Sequence, residues 1–198
     1  MAPLGALHAD LDRTLAEAWR LLTLGAADRA SPMNVLAVAT VGLDGRPRVR
    51  SVILRAADPG LRRLRFYCDN RSEKAKELAA DPRVALLGVA LPSATQIRIE
   101  GVASIHTNDA ESAAEWGRAR SSSRIGYGTK PAPGSPIEQA VSYSLPSTAD
   151  EVSDGCQNFA AADVRIDSLE YLHFGAELHR RALFRWTEAG FSSTWLVP

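Results

Sequence analysis

Between residues 34 and 106 the chain contains five β-type runs with one short helix among them, and that order constrains the fold most strongly. NVLAVATV (34–41) is apolar on both faces and rich in β-branched residues, and RVRSVILR (48–55) follows it after GLDGRP. Asp44-Gly45 between the two is a hairpin signal, because glycine reaches the positive φ that tight hairpin turns require. After Asp58-Pro59-Gly60, LRRLRFYC (61–68) alternates Leu64, Phe66 and Cys68 against Arg63, Arg65 and Tyr67, which predicts a half-buried strand. RVALLGVA (83–90) and TQIRIEGVASIH (95–106) complete the five. DVRIDSLEYLHF, LHRRALFRWT and FSSTWLVP predict three more strands near the end, the last two joined at Glu188-Ala189-Gly190. About eight strands in hairpin order, with helices inserted or appended, predict a mainly β chain with some α: an antiparallel barrel rather than a doubly wound α/β sheet.

Apolar residues at Leu11, Leu15, Ala18, Trp19 and Leu22 have helical spacing and predict an N-terminal helix over about 10–28. A second helix is expected over 71–80, ending at Asp81-Pro82. Asn108 with Glu111 reads as a capping box for a helix to about residue 119, and Ser135-Pro136-Ile137-Glu138 reads as a fuller one. SSSRIGYGTKPAPG (121–134) between them is a loop of the length usually kept for binding. No GxGxxG or GxxxxGK[ST] follows a strand, which argues against a dinucleotide or P-loop site.

The 198 residues, 45% of them hydrophobic, suffice for one well-buried domain spanning the chain. With 23 basic and 23 acidic residues there is no global field to draw in nucleic acid or an anionic membrane, so any anion site must be local. No apolar run is long enough to span a bilayer, and MAPLGALHADLDR lacks the basic start and apolar core of a signal peptide; a cytoplasmic protein is the expectation. Cys68 and Cys156 form no CxxC pair and are too few for a metal site, and Cys68, in an apolar strand, reads as a small buried hydrophobe.

The local anion site is sought at misplaced cations. Arg50 sits among Val49, Val52, Ile53 and Leu54, where a charge needs a salt bridge, a route to the edge of the sheet, or a bound anion. Arg71, Lys74 and Lys76 crowd the start of the 71–80 helix, where the backbone is already positive. Glu73 suits that position, and Asn70 or Ser72 can cap it. Either the cations are solvated, or Lys74, the Ser72 hydroxyl and the free N–H groups cradle a phosphate that Arg50 also reaches. His179 and Arg181, two apart on a strand, share a face.

RSVILR (50–55), FYCDNRSEKAKEL (66–78), TQIRIEG (95–101) and LHRR (178–181), in this order and in register with the predicted strands, resemble the pyridoxamine 5'-phosphate oxidase family of FMN-binding split barrels. The resemblance spans about residues 34–198. It implies an FMN site in which Arg50 and Lys74 bind the phosphate with Ser72, while Ser51, Val52, Ile53, Leu54 and Arg55 run beside the flavin. Tyr67 and Cys68 lie at the cofactor, Gln96 meets the ring edge, and Arg181 reaches FMN from the second subunit of a homodimer. It implies no metal. A small-molecule substrate would meet Arg55, Arg120, Ser123 and His179.

The departures lie mostly on the substrate side. Glu73 and Glu177 stand where the family carries arginines, WGRARSSS (116–123) replaces its substrate-phosphate set, and Tyr171 or Leu172 stands for an expected tryptophan. Ser123 fits in register, whereas Arg120 fits with a one-residue shift. Two readings follow: an FMN-dependent oxidoreductase with an altered substrate-phosphate site, or a flavin carrier or sensor without turnover. Relatives of this architecture that hold deazaflavin or haem supply a third.

Overall fold

The computed structural model describes residues 10–175 and 179–198. Eight antiparallel strands follow the predicted runs: β1 (Val35–Val41), β2 (Pro47–Asp58), β3 (Arg63–Asp69), β4 (Arg83–Ala90), β5 (Thr95–His106), β6 (Phe159–Phe174), β7 (His179–Thr187) and β8 (Gly190–Leu196). Their order is β3-β2-β1-β4-β5-β6-β7-β8, and a further pairing of β3 with β6 closes the first six into a barrel. The expected antiparallel split barrel is therefore the observed fold.

Strand β6 makes the split. Its first half, Phe159 to Arg165, pairs with β3, and its second half, Ser168 to Phe174, pairs with β7. β5 lies beside both halves, with a register shift between Glu100 and Gly101 where the direction changes. Gly101 is required there: a Cβ would lie 2.2 Å from the Arg165 carbonyl oxygen. At the β1–β2 turn Gly45 has φ +78°, as the Asp-Gly pair predicts.

Alternation fills the barrel. Leu36 and Val38, Val52 and Leu54, Leu64 and Phe66, Leu86, Ile97 and Ile99 are all buried. Helix α1 (Leu11–Ala27) matches the expected 10–28 segment and buries Ala18, Trp19, Leu21 and Leu22 in the same core. Asp10 caps it, accepting from the N–H groups of Asp12 and Arg13.

Helix α2 runs over Glu73–Ala80 within the expected 71–80, with Ser72, one of the two expected caps, at its N-cap position. Two local expectations are corrected. Helix α3 (Ala110–Arg118) is capped by Asp109 with Ser112, not by Asn108 with Glu111; Asn108 has φ +53°, outside the extended conformation an N-cap adopts. The helix expected at Ser135 is absent, and residues 135–142 are irregular. A cap and a proline are present there, but Ile137 and Val141 remain exposed, so a helix would find no apolar surface to bury. The 121–134 segment holds a short helix, α4 (Ser121–Arg124), and a 3-10 turn, and α5 (Ala149–Asp154) precedes β6.

Candidate functional site

The start of α2 is positioned by the end of β3. Ser72 at the N-cap is buried, but its hydroxyl donates to the Asp69 carbonyl at 2.6 Å and makes no side-chain cap. The Ala75 N–H reaches the Ser72 carbonyl at 3.1 Å, so the first-turn N–H groups of Glu73 and Lys74 are the ones left without a side-chain cap. Lys74 is half-buried beside Cys68 and has no ion-pair partner among the described residues, while Glu73 is exposed. The sequence brought these residues together as a phosphate cradle, and the fold places them at one helix end.

Arg50 points into the barrel end from β2, on the face of Val52 and Leu54. Its guanidinium donates to Thr40 and to Glu77, the latter at 2.6 Å, and Thr40 donates to the same Glu77 oxygen at 2.6 Å. Glu77 lies on α2 and is 3% exposed. Arg50 thus has the salt bridge that was one of its three sequence readings. Glu77 was missed because it reads as an ordinary member of a charged helix. Removing either partner of such a buried pair costs about 3–5 kcal/mol by leaving an uncompensated charge.

A cavity of about 630 Å³ lies between β2, β3, α3 and the residues around α4. Arg55, Tyr67, Arg120 and Ser123 line it, so three of the four proposed substrate residues share one space. The fourth, His179, is exposed at the start of β7 and does not line it. Arg29, Arg63, Arg65, Glu111, Glu115 and Arg118 also line it, and the sequence singled out none of them for a site.

Arg65 organises that wall. The alternation of β3 placed it on an open face, but α3 covers that face and Arg65 is 4% exposed. It bonds both carboxylate oxygens of Asp163, at 2.6 and 2.7 Å, and pairs with Glu115 at 2.7 Å and Glu111 at 2.6 Å. The hydrogen bonds to Asp163 outweigh desolvation and raise the Arg65 pKa further. Glu111 and Glu115, one helical turn apart, were a legible signal for a partner on the next element.

Tyr67 donates to Glu115 at 2.6 Å, and the Arg55 guanidinium lies 5.1 Å from the centre of its ring. Burial, then the hydrogen bond to Glu115, raises the phenol pKa. Burial alone would raise Glu115, but the Tyr67 hydrogen bond and the charges of Arg65 and Arg118 hold its carboxyl below the usual range. The Arg55 Nε is buried and has no hydrogen-bond partner. Cys68, 3% exposed, has its thiol pushed up to about 11 by burial, partly offset by Lys74.

The remaining cofactor candidates face elsewhere. Ser51 and Ile53 lie on the outer face of β2, and Gln96 lines a shallow outer groove of about 450 Å³ with Val49, Leu87 and Arg98. Arg181 on β7 pairs with Glu170 at 2.8 Å and has a buried Nε without a partner. Glu177 lies outside the described residues. Arg71, a surface charge by sequence, is a clamp: it holds Asp69 and donates to the carbonyls of Thr129 and Tyr127 at 3.1 and 3.2 Å. Among the described residues no group of His, Cys, Asp and Glu could hold a metal ion, and no helix is long and apolar enough to cross a membrane.

The family model described as pyridoxamine 5'-phosphate oxidase matches residues 27–142. A pyridoxine/pyridoxamine 5'-phosphate oxidase from Thermosynechococcus vestitus is 38% identical over 96 residues, which cover 48% of this chain and 44% of that protein. The chain thus spans less than half the length of that relative. A namesake from Alkalilimnicola ehrlichii is 29% identical over 170 residues, 81% of this chain and 84% of that protein. Among solved structures, a pyridoxamine 5'-phosphate oxidase-related, FMN binding protein from Nostoc punctiforme superposes with TM-score 0.73 at 21% identity, covering 92% of this chain and 96% of that one. PhzG from Burkholderia lata, solved with tetrahydrophenazine-1-carboxylic acid, also gives 0.73, at 20% identity, covering 100% and 99%. With the family model spanning more than half of its length and its barrel shared with these structures, the chain belongs to the pyridoxamine 5'-phosphate oxidase family.

Proposed function

We propose that this protein binds FMN and serves as a flavin-dependent oxidoreductase, working as a homodimer. One observation carries the reading: the α2 start offers N–H groups without a side-chain cap and an unpaired Lys74 among the described residues, at the end of β3, in a chain of this family. The residues fit the group. Lys74 and the first-turn N–H groups would hold the phosphate, Arg50 would approach it while staying oriented by Glu77 and Thr40, and the orphaned Arg55 Nε is a donor awaiting an acceptor. Bound there, FMN would supply two-electron redox chemistry. Glu73 and Glu77 balance the charges of Lys74 and Arg50, so affinity would rest on directed donors rather than on net charge. The Nostoc relative, named as FMN binding, supports the same cofactor.

Lys74→Ala is the clean test, because it leaves no buried carboxylate unpaired. Losing one charge-assisted hydrogen bond of about 1.5–3 kcal/mol should weaken FMN binding by about 10- to 100-fold, read as flavin fluorescence quenching. Arg50→Ala should also lose flavin, with a drop in melting temperature from the stranded Glu77. Full flavin occupancy in both variants would overturn the assignment. Flavin bleaching by amines, aldehydes or a nicotinamide donor then separates turnover from a carrier or sensor role.

A further inference from the structure

A row of aromatic rings runs inward from α3. Trp116 packs on Tyr127 at 5.8 Å and on Phe159 at 5.5 Å between ring centres, and Tyr127 meets Phe159 at 5.1 Å. Phe159 continues the row at 4.8 Å to Tyr67, which lines the cavity beside β3. These are edge-on contacts of the kind any aromatic cluster makes, so the packing alone implies no chemistry. The two ends of the row differ in what they touch. At Trp116 the Arg124 guanidinium lies 5.2 Å from the centre of the indole ring. At Tyr67 the hydroxyl donates to the buried Glu115 carboxylate at 2.6 Å. Tyr127, the other phenol of the cluster, has no carboxylate bonded to its hydroxyl among the described residues.

A phenol gives up an electron readily only when its proton leaves in the same step, because the oxidised phenol is a very strong acid. Tyr67 has the proton acceptor in place, within hydrogen-bond reach. Burial keeps its phenol protonated at rest. Burial also works against a charged Glu115, but the Tyr67 hydrogen bond and the charges of Arg65 and Arg118 keep that carboxyl ionised and open to a proton. Trp116 is the reverse case: one-electron oxidation makes its indole a cation, and Arg124 already holds a cation over the ring. An electron vacancy formed at Trp116 therefore runs inward, past Phe159, and comes to rest at Tyr67.

We propose that Tyr67 and Glu115 form a proton-coupled redox pair, fed from Trp116 through Phe159, that collects the oxidising equivalents of one-electron oxidising radicals arriving at α3. The radical takes one electron from the Trp116 indole, and the indole takes one from Tyr67. The Tyr67 O–H proton passes to Glu115 Oε2, leaving a neutral phenoxyl beside a neutral carboxyl. The net change is one electron from Tyr67 to the radical and one proton from Oη to Oε2. Tyr67 lines a cavity of about 630 Å³, so a small one-electron reductant such as ascorbate can reach it there; its electron and the proton returned by Glu115 restore the pair. The pair uses side chains of this chain alone, so it stands or falls apart from the flavin reading.

Pulse radiolysis of the protein as purified, in azide solution, tests this, because azide radicals oxidise tryptophan by one electron. Freeze-quench electron paramagnetic resonance with ring-deuterated tyrosine tells a phenoxyl from indole and flavin signals. The indole signal should decay as a persistent phenoxyl appears. Tyr67→Phe removes one hydroxyl, leaves Glu115 held by Arg65 and Arg118, and should abolish that phenoxyl, whereas Tyr143→Phe, at a 50% exposed position, should leave it. Glu115→Gln keeps a hydrogen-bond acceptor but no base; it should lower the phenoxyl yield by at least about tenfold and remove the slowing of its formation in heavy water, which a purely structural role for Glu115 would not do. Trp116→Phe should delay the phenoxyl and reduce it. A phenoxyl yield matching the parent in Tyr67→Phe or in Glu115→Gln overturns the pair, and an unchanged rise and yield in Trp116→Phe overturns its feed.

Discussion

Cys68 and Cys156 carry the same thiol and should behave as different groups, because one is buried against Ala75 and Ala160 and the other is exposed. Attack requires the thiolate, and burial pushes the Cys68 thiol up to about 11, so at neutral pH it stays protonated and shielded. One equivalent of a thiol reagent should therefore react quickly with the native protein, at Cys156, and the second only on unfolding; fast labelling of both would show that the β3 end is open. The linkage has a definite sign. The folded pKa lies above the unfolded value near 9.0, so the folded chain binds a proton that the unfolded chain releases between the two. The stability this contributes is complete below about pH 9 and is lost as pH rises through about 11. Urea midpoints of the parent should fall over that interval more steeply than those of Cys68→Ala. A thiol of this kind is packing material, as its apolar strand predicts, and it sits beside Lys74 without competing for the proposed phosphate.

Elements with one strong local signal were legible in the sequence, and elements defined by what covers them were not. All eight strands and α1 follow from periodicity and turn residues, because each buries a face that its own pattern announces. The closure of β3 on β6 joins residues about a hundred positions apart, and no local pattern encodes it. That closure, with α3 packed outside, is why Arg65 was read on an open face and found buried, and why Glu115 escaped notice; Glu77 escaped because its partners, Thr40 and Arg50, lie on β1 and β2, far from it in sequence. Arg71 is the same lesson in a loop. Its guanidinium ties Asp69 at the start of α2 to the carbonyls of Tyr127 and Thr129, while Asn158 also donates to Tyr127 at 2.8 Å. The segment carrying Arg120 and Ser123 is thus fixed to the helix end carrying Lys74. Arg71→Ala should speed amide exchange over residues 121–130 by at least about tenfold while β1 and β4 stay protected, and Arg71→Lys should not restore it, since an ammonium lacks the planar fork. Unchanged exchange in Arg71→Ala would show that the loop holds without the clamp.

At the scale of the whole molecule, the outer face of β2, β1, β4 and β5 is the surface left to explain. Cross-strand register lays side chains there in rows: Ser51, Ala37, Leu87 and Arg98 in one, and Val49, Ala39, Ala85 and Glu100 in the next. Val49 is 72% exposed, and Val35, Leu87 and Val89 are also exposed among the described residues. Contiguous apolar surface of this kind marks an interface in a soluble protein. The occupant proposed above is a second copy, and the placement of the cofactor candidates supports it. Ser51, Ile53 and Gln96 share this face, whereas Arg50 and Lys74 lie at the barrel end. A flavin reaching from one set to the other would lie along the rim of the interface, where a residue of the second subunit could meet it. The face adds little to the barrel core, so charging it should spare the fold. Val49→Asp with Leu87→Asp should convert a sedimenting dimer to a folded monomer at micromolar concentration and lower flavin content with it. Lys74→Ala should lose flavin and remain dimeric. A parent protein that sediments as a monomer, or a doubly charged variant that stays dimeric and yellow, would remove both the interface and the shared cofactor site built on it.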